Sequence, residues 1–520
     1  MIQNMGVVKF DIFSGSSDEL TQNLSQFIAE HETQRNFTEL NENNLRNRIW
    51  TQLFDTLNNE EYKSTHQLCL SALRLLSRDK TDIDELVTES RIATLLRFAY
   101  LDNNLDNENV ASNSETVVET LKVLCNLIYN SQQARTLVIQ TSSCLSQTVQ
   151  RLSKQRSELT HEGRLFHLRL LFLVTALCIH TRSKVKTELN AEVHLIEMLE
   201  ETSEQLRNRP QSVLKVNDHA IACEVLKVLF NLYIRAEDEQ MEEEKNEKLV
   251  SILYELLICE TIENQDELIS HAVNFLTVVP INSYSTLIPP VQSDNVKLVY
   301  HNMDMRAVST LLKFLNKRLD SEIDLTENIS PIATVLIRLA RAQRLARKYI
   351  RLQILPPLKD VMKRPEEGIT LRAKLCKQLT NPQTDLRDLV AELIFILCKE
   401  SVARMVKYTG YGNAAGMFAN KGLLGGRQPK TNYSSESEDS DTDEYIKYKE
   451  QINPITGCYE SPKPNPLEGM SEERKEYEAV QLANLMDKLT REGIVQPCRI
   501  GEDGKPKPIE HVLELQNDSK

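Results

Sequence analysis

The feature that most constrains this chain is an internal repeat. The segment LKVLCNL at 121–127 recurs as LKVLFNL at 226–232 with six of seven residues identical, and LRLLS at 73–77 recurs as LRLLF at 168–172. Related apolar segments are HAVNFL at 271, LLKFL at 311, VLIRLA at 335 and AELIFIL at 391. Most successive segments start about 40 to 58 residues apart, which is close to the period of armadillo and HEAT units. Such units bury their apolar faces only by stacking on one another.

The low content of proline and of aromatic residues favours helices over strands. Only one proline, Pro210, precedes residue 280, so long uninterrupted helices are allowed over more than half of the chain. Aromatic residues make up 6% of the 520 residues, and the apolar runs are rich in leucine and alanine, which favour helix. We therefore predict an all-α armadillo/HEAT-repeat superhelix, that is, an α-solenoid.

A change of composition predicts where the repeat array ends. Six of the 15 glycines lie between Gly410 and Gly426, and TNYSSESEDSDTDEY and the proline-rich SPKPNP follow. Such segments bury little apolar surface. The predicted domains are a repeat solenoid at 1–426, an acidic, phosphorylatable, proline-containing linker at 427–469, an amphipathic docking helix at 470–493 and a disordered tail at 494–520.

The predicted docking helix has start and stop signals. Ser471 can cap it, Glu472 and Glu473 suit its positive end, and Gly493 can close it. An apolar stripe at helical spacing follows the cap and consists of Ala479, Leu482, Ala483, Met486 and Leu489. An isolated helix of this length is marginal in water. We expect it to dock either on the solenoid or on a bound partner.

Charge and targeting signals exclude several classes of function. The formal net charge of −13 disfavours binding to nucleic acid or to anionic membranes. The first residues, MIQNMGVVKF, lack the organisation of a signal peptide, and the longest apolar run, at about 168–179, is too short to cross a bilayer. We therefore expect a cytosolic protein.

We expect no catalytic, metal or cofactor site. The ten cysteines are scattered singly, with no Cys-x-x-Cys and no nearby histidine pair that would complete a zinc tetrahedron. GYGNAAG at 410–416 resembles a dinucleotide fingerprint but follows a predicted helix, whereas that motif requires a preceding strand. No signature of nucleophilic catalysis or of phosphate binding stands out.

Asparagine and arginine side chains are the candidates for binding a partner segment. Asn126, Asn231 and Asn274 occupy similar positions in three repeat helices, and an amide can both donate to and accept from a peptide backbone. The alternative is that each asparagine bridges neighbouring helices. Arg74 and Arg78 share one helix face and can bind a carboxylate, although a solvated face is the commoner explanation of such a pair.

A basic cluster lies further along the chain. Its six residues fall within 14 positions of helical pattern and are Arg338, Arg341, Arg344, Arg347, Lys348 and Arg351. In an acidic protein this inversion favours an anionic ligand, with a polar outer face as the default explanation.

Five further motifs stand out in the chain: HNMDMRAV at 301, KYTGYGNAAG at 407, SEDSDTDEY at 437, INPITG at 452 and PNPLEGMSEERKEYEA at 464. Together they resemble the synembryn family, the resistance-to-inhibitors-of-cholinesterase-8 type of chaperone and nucleotide exchange factor for G-protein α (Gα) subunits. The resemblance covers about residues 65–497. It implies an armadillo/HEAT superhelix whose concave face receives the C-terminal helix of Gα.

The resemblance also implies roles for particular residues. Arg74, Arg78, Asn126 and Asn231 are then candidates for holding the Gα C-terminus, with Asn274 a weaker match. Leu482, Met486 and Leu489 match the segment that contacts the Ras-like domain of Gα. The implied protein is a monomer without a cofactor, cytoplasmic and recruited to the cell cortex or plasma membrane through Gα.

Two serines carry a phosphorylation signal. Ser435 and Ser440 each have an acidic residue three places on, Glu438 and Asp443, which is the pattern that a casein kinase 2 type kinase selects. Equivalent family positions are phosphorylated, and our hypothesis is that the phosphates pair with the basic cluster. The alternative is a linker that only keeps the chain soluble.

The main rival function is an armadillo adaptor that binds extended peptides without exchange activity. Import adaptors of that kind pair each ladder asparagine with a tryptophan, and this chain has a single tryptophan, Trp50. The sequence therefore favours the exchange factor.

Overall fold

The computed structural model describes twelve parts of the chain: residues 17–41, 44–102, 114–154, 158–208, 213–234, 243–262, 264–291, 298–321, 323–426, 433, 441–461 and 466–509. Within them, helices dominate and the strands form only two-stranded pairs. The all-α prediction is confirmed, while the armadillo/HEAT architecture stays a prediction. The chain divides into two compact units, Met1–Val279 and Pro280–Lys520.

The first unit is built from helices α1 to α15. Their bounds are α1 Ser17–His31, α2 Thr38–Asn41, α3 Leu45–Leu57, α4 His66–Leu76, α5 Ile83–Leu86, α6 Glu89–Phe98, α7 Ser114–Asn130, α8 Gln132–Gln140, α9 Ser142–Ser153, α10 His161–Leu177, α11 Thr181–Ser183, α12 Ala191–Arg207, α13 Val216–Tyr233, α14 Glu243–Ile258 and α15 Gln265–Leu276. A 3-10 turn spans Glu60–Thr65 and a π turn spans Lys184–Glu188. Strand β1 (Val213–Leu214) pairs in parallel with β2 (Glu260–Thr261).

Five of these helices form a row. In the order α4, α7, α10, α13, α15, each packs against the next, and α1 packs against α4. A second layer of α3, α6, α9, α12 and α14 packs against successive members of the row. A row helix therefore has neighbours on several sides, which explains why the apolar residues of α13 are not confined to one stripe and why 12 of its 18 residues are buried.

Side-chain caps fix where several of these helices begin. Thr88, Ser131 and Thr160 are the N-caps of α6, α8 and α10, and each accepts a hydrogen bond from the backbone N–H three residues on. Such a bond satisfies one of the free donors of a helix start and contributes about 1 kcal/mol.

The second unit contains the remaining helices and three strand pairs. The helices are α16 Arg306–Leu319, α17 Leu325–Ala342, α18 Arg344–Ile354, α19 Leu371–Gln378, α20 Thr384–Leu397, α21 Val402–Thr409, α22 Tyr411–Asn420, α23 Asp443–Tyr448 and α24 Glu472–Arg491. The antiparallel pairs are β3 (Val299–Tyr300) with β4 (Met303–Asp304), β5 (Ile452–Asn453) with β6 (Cys458–Tyr459), and β7 (Cys498–Ile500) with β8 (Pro506–Pro508). Short 3-10 turns span Ile281–Leu287, Leu424–Gly426 and Lys449–Gln451.

Parts of the predicted linker (427–469) and tail (494–520) carry folded elements. Residues 441–461 form α23 and the β5–β6 hairpin, and the Tyr459 N–H donates to the Val361 carbonyl oxygen at 2.7 Å. The β7–β8 hairpin falls in the predicted tail, and the Leu424 N–H donates to the Gly504 carbonyl oxygen at 3.2 Å. Composition did not predict these elements because contacts with distant segments hold them, namely backbone hydrogen bonds, the Asp441–Lys407 ion pair and the burial of Tyr445 and Cys458.

The GYGNAAG segment is a junction between two helices. Gly410 separates α21 from α22 and adopts a φ of 75°, which favours glycine. A Cβ atom there would lie 2.9 Å from the Ile455 carbonyl oxygen, because the β5–β6 turn packs directly on the junction. The Tyr411 and Gly412 N–H groups donate to the carbonyl oxygens of Pro454 and Ile455. The glycines therefore allow close packing, and a helix rather than a strand precedes them.

Helix α24 has the predicted start and stop. The Ser471 side chain accepts from the Arg474 N–H, and Gly493 follows the helix with a φ of 70°. No residue of α24 is buried. None of the helices in the described part of the chain combines the length and apolar character that crossing a bilayer requires.

Candidate partner-binding surface

The sequence repeat encodes a repeated polar link between helices. On α4 and α7, Arg74 Nε lies 2.7 Å from Glu119 Oε2, and Lys122 Nζ lies 2.9 Å from Glu119 Oε1. On α10 and α13, Arg169 Nη2 and Lys227 Nζ each lie 2.7 Å from Glu224 Oε1. The two sets occupy equivalent positions in the repeats, so each LRLL helix is tied by an arginine to the glutamate of the helix that follows it in the row.

The asparagines of the repeat add a second link. Asn126 Nδ2 on α7 donates to the Arg74 carbonyl oxygen (3.1 Å) and to Ser77 Oγ (3.0 Å). Asn231 Nδ2 on α13 donates to the Phe172 carbonyl oxygen (3.3 Å) and to Thr175 Oγ1 (3.1 Å). The amide nitrogens therefore bridge neighbouring helices, which was the alternative to a groove role.

Asn274, the third predicted ladder residue, differs from the other two. It lies on α15 and is half-buried, and its backbone carbonyl accepts a hydrogen bond from Thr277 Oγ1 at 2.6 Å. Among the described residues its side-chain amide has no hydrogen-bond partner, so both its donor and its acceptor are available to a ligand.

The predicted arginines lie together at the end of α4 and already have internal partners. Arg78 Nη1 donates to the Glu32 carbonyl oxygen at 2.6 Å, and Arg74 pairs with Glu119. Burial, together with the positive charges of Arg74 and Arg35, lowers the pKa of Arg78. Three arginines thus concentrate positive charge beside the Asn126 link, which favours an incoming carboxylate.

Glu119 stays charged at the centre of this link. Burial by itself would raise the pKa of Glu119, but hydrogen bonds and charge from Lys122 and Arg74 outweigh that effect and lower it. A ligand carboxylate that binds Arg74 therefore has to compete with an ionised neighbour. Arg78 is the more available of the two predicted arginines, because it donates to backbone carbonyl oxygens and not to a carboxylate.

The basic cluster does not form one free surface. Arg351 is buried and its Nη2 lies 3.1 Å from the Tyr408 hydroxyl, while Arg341 pairs with Glu392. Arg338 lies over the Tyr284 ring, with 5.3 Å between its Cζ and the ring centroid. Arg344 and Lys348 also have partners within the chain. Part of the cluster therefore stabilises the second unit.

Arg347 marks where the acidic segment approaches this cluster. Its Cζ lies 4.7 Å from the centroid of the Tyr433 ring, and its Nη1 donates to the Ala340 carbonyl oxygen at 3.1 Å. At the other end of the segment, Asp441 pairs with Lys407 (2.7 Å) and Lys449 (3.0 Å). The predicted phosphorylation sites Ser435 and Ser440 lie outside the described residues, between these two contacts.

Helix α24 exposes its apolar side chains to solvent. Leu482 is 61% exposed and Met486 is 42% exposed, and Leu485, Tyr477 and Val480 are also exposed. Leu489 is half-buried. An exposed amphipathic helix of this kind is typical of a segment that docks on another protein.

Sequence reasoning missed the charged residues of the repeat. It singled out Arg74 and the asparagines but not the partners Glu119, Lys122, Arg169, Glu224 and Lys227. The signal was present, because the repeat extends two residues further back as ETLKVLCNL and EVLKVLFNL. A glutamate and a lysine three residues apart share a helix face, and this pattern predicts a pair.

A helical array with an exposed amphipathic helix is typical of proteins that bind other proteins. Residues 69–505 match the family described as guanine nucleotide exchange factor synembryn (Ric8). The curated protein Chaperone Ric-8A of Xenopus tropicalis is 37% identical over 518 residues, covering 96% of this chain and 95% of its own length.

Relatives in other animals match as well. Chaperone Ric-8A of Gallus gallus is 38% identical over 90% of this chain and 89% of its own length. Chaperone Ric-8 of Drosophila melanogaster is 34% identical, covering 96% of both chains. This chain belongs to the synembryn (Ric8) family of chaperones and guanine nucleotide exchange factors.

Proposed function

We propose that this chain is a non-receptor guanine nucleotide exchange factor and a folding chaperone for heterotrimeric Gα subunits. The family match over residues 69–505 is the observation that carries the proposal. Relatives of nearly the same length that are named as chaperones support the second activity. The protein acts by binding and not by covalent chemistry.

The proposed binding site for the Gα C-terminal helix is the row of α4, α7, α10, α13 and α15. Arg74 and Arg78, with Arg35 nearby, provide positive charge for its terminal carboxylate. The side-chain oxygens of Asn126 and Asn231 accept no hydrogen bond from the described residues, and the whole side-chain amide of Asn274 is available. These groups can hold a peptide segment along the row.

Helix α24 is the proposed contact with the Ras-like domain of Gα. Leu482, Met486 and Leu489 lie on one side of a helix that buries none of its residues. Burying such side chains against a partner contributes about 1.5–3 kcal/mol for each one that becomes fully buried. The exposed stripe therefore represents a large binding energy that the chain does not use internally.

Exchange follows from linked equilibria. If the chain binds nucleotide-free Gα more tightly than GDP-bound Gα, it must weaken the binding of GDP by the same factor. Holding the Gα C-terminal helix away from its own domain loosens the elements behind the guanine ring, and incoming GTP reverses the process. The same preference supports a chaperone role, because a ligand that binds an unfinished Gα core shifts the population away from aggregation.

The acidic segment is the proposed regulatory element. Tyr433 lies over Arg347 of α18, and Asp441 pairs with Lys407 of α21, so the described residues on both sides of 434–440 contact basic side chains. Ser435 and Ser440, the proposed targets of a casein kinase 2 type kinase, lie between these contacts in the sequence. Each charge-assisted hydrogen bond that an added phosphate forms contributes about 1.5–3 kcal/mol where it is shielded from water.

A binding experiment separates the exchange factor from the rival adaptor. Immobilised full-length chain is incubated with GDP-bound and with nucleotide-free Gα, and GDP release is measured in parallel. A preference for the nucleotide-free form together with faster GDP release supports the proposal. Equal capture of both forms with unchanged GDP release would instead support an adaptor without exchange activity.

A second experiment tests the proposed binding site for the Gα C-terminal helix on the row. Arg74→Ala combined with Arg78→Ala should weaken binding of a Gα C-terminal peptide by about tenfold, because two charge-assisted contacts are lost. Arg97→Ala on α6, in the second layer, is the matched control and should bind normally. Normal peptide binding by the double variant would show that the peptide does not bind at Arg74 and Arg78.

The phosphorylation sites are tested with alanine variants. After treatment with a casein kinase 2 type kinase, the Ser435→Ala, Ser440→Ala double variant should release GDP from Gα more slowly than wild type. Ser434→Ala is the matched control, because the residue three places on is Ser437 and not an acid. Equal rates in all three proteins would remove the regulatory role.

A further inference from the structure

Two row helices each carry a pair of metal-ligating side chains one turn apart. His219 and Cys223 lie on α13, and Glu267 and His271 lie on α15. Residues four apart share a helix face, and α13 packs against α15. Packing therefore brings together pairs that are far apart in the sequence, so the cluster has no Cys-x-x-Cys or similar local motif.

The distances suit a metal ion. Cys223 Sγ, a Glu267 carboxylate oxygen and a ring nitrogen of His271 all lie within 4.8 Å of one another. The separation between His271 Nε2 and Glu267 Oε1 is 3.8 Å. Bonds of about 2.0–2.3 Å around tetrahedral zinc place neighbouring ligand atoms roughly 3.3–3.8 Å apart. Small side-chain rotations bring the three atoms into that range.

We propose that Cys223, Glu267 and His271 form a zinc site that joins α13 to α15 and holds water in the fourth position. A thiolate, an imidazole and a carboxylate are donors that Zn²⁺ prefers. His219 Nε2 lies 3.9 Å from Cys223 Sγ, but it also lies 3.2 Å from the Asn264 carbonyl oxygen, a contact that ties the ring to the start of α15 and leaves the fourth position to water. A pocket of about 260 Å³, lined by Cys223, Glu267 and His219 among others, gives solvent access.

Zinc binding changes the protonation of Cys223, because the Zn–S bond forms as the thiol proton leaves for solvent.

The site links two helices that also carry Asn231 and Asn274. A bound ion would fix the spacing of α13 and α15 and stabilise the folded first unit, because zinc binds the assembled site more tightly than the unfolded chain. The inference does not depend on the proposed exchange function, since it rests on three side chains and their distances.

Metal titration of the dialysed full-length chain tests the site. Elemental analysis should find one zinc ion per chain, and competition with a chromophoric chelator gives its affinity. Cys223→Ser, His271→Ala and Glu267→Gln should each weaken zinc binding by about tenfold or more. Cobalt(II) should give a thiolate-to-metal charge-transfer band that Cys223→Ser abolishes.

Two cysteine variants serve as matched controls. Cys498→Ser removes the exposed cysteine, and Cys259→Ser removes another buried cysteine of the first unit, so both should bind zinc normally. Urea unfolding without metal shows that each variant is folded, and Glu267→Gln changes a half-exposed side chain at little cost to the core. Absence of bound zinc, unchanged affinity in the three ligand variants, or loss of the cobalt band only in Cys498→Ser would overturn the site.

Discussion

Helices α13 and α24 have similar lengths but opposite surroundings. α13 has 18 residues and buries 12 of them, including the polar residues Glu224 and Asn231. α24 has 20 residues and buries none, although it has its own apolar stripe. The difference shows that an apolar pattern predicts a helix and its apolar face. The pattern does not predict whether the same chain buries that face.

The helices packed around α13 and the lack of such helices around α24 among the described residues explain why only α13 is buried. α13 lies between α10 and α15 and packs against α12, so apolar surface on several of its sides leaves water during folding. The stripe on α24 stays in water, and a single helix of this length is only marginally stable by itself. In the proposed function, binding of Gα provides for α24 the cover that folding provides for α13.

The largest effect is expected from Leu226→Ala on α13. Leu226 is completely buried, and truncation of a buried leucine destabilises a protein by about 2–5 kcal/mol through lost apolar contact and a residual cavity. Urea unfolding followed by the fluorescence of Trp50 measures this, because the single tryptophan is buried in the first unit. A change below 0.5 kcal/mol, the rough scale of surface substitutions, would show that α13 is not part of the cooperative core.

The row should also lose stability in acid because of a buried histidine on α10. Burial lowers the pKa of His167 from its ordinary 6.5 to about 4, so the folded chain keeps this ring neutral. Between these two values the unfolded chain binds a proton that the folded chain does not, and stability falls as the pH falls through that window. The contribution of His167 amounts to about 2 kcal/mol at pH 5 relative to pH 7.5.

A comparison of wild type with His167→Gln isolates this contribution. Other carboxyl groups titrate in both proteins, so their effects cancel in the difference between the two urea curves. The variant should lose less stability than wild type between pH 7.5 and pH 5. Parallel pH dependence in the two proteins would contradict the assignment.

A smaller effect should distinguish the two copies of the repeated ion pair. Glu224 is 2% exposed and Glu119 is 13% exposed. Glu224→Gln should therefore cost about 1–3 kcal/mol, the scale for weakening a hydrogen-bonded buried charge, and Glu119→Gln about 1 kcal/mol. The midpoints of urea unfolding, followed by Trp50 fluorescence, give both losses of stability. A larger loss for Glu119→Gln would contradict the expectation that the more buried glutamate contributes more.

The smallest effect on folding is expected on α24. Leu482→Asp combined with Met486→Asp changes two exposed side chains, so the stability of the chain should change by less than about 0.5 kcal/mol. The same variant should lose most of its affinity for nucleotide-free Gα, because a charged stripe cannot be buried against a partner. Retained affinity, measured by the pull-down used for wild type, would remove α24 from the binding surface.

The sequence predicted the helical class and the ends of α24 because these depend on local features. Helix-forming runs, the Ser471 cap and the Gly493 stop act within a few residues. The same local reasoning did not anticipate the β5–β6 hairpin on the Gly410 junction or the boundary between the units at Val279, because both depend on contacts between distant segments.

For the candidate site, too, the sequence predicted local features but not contacts between distant segments. The repeat pointed to Asn126 and Asn231, since equivalent positions recur in the two copies, and the four-residue spacing of Arg74 and Arg78 pointed to the arginines. The repeat did not show that Asn126 and Asn231 already donate to the preceding row helix, because spacing in one helix carries no information about its neighbour.

The sequence by itself determined that this chain forms stacked amphipathic helices and that it belongs among relatives with a shared pattern over nearly its whole length. The tertiary structure alone decided which polar groups meet. Arg169 reaches Glu224, and Cys223 faces His271, only because helices pack side by side, and packing is set by the summed fit of many side chains rather than by any one local signal.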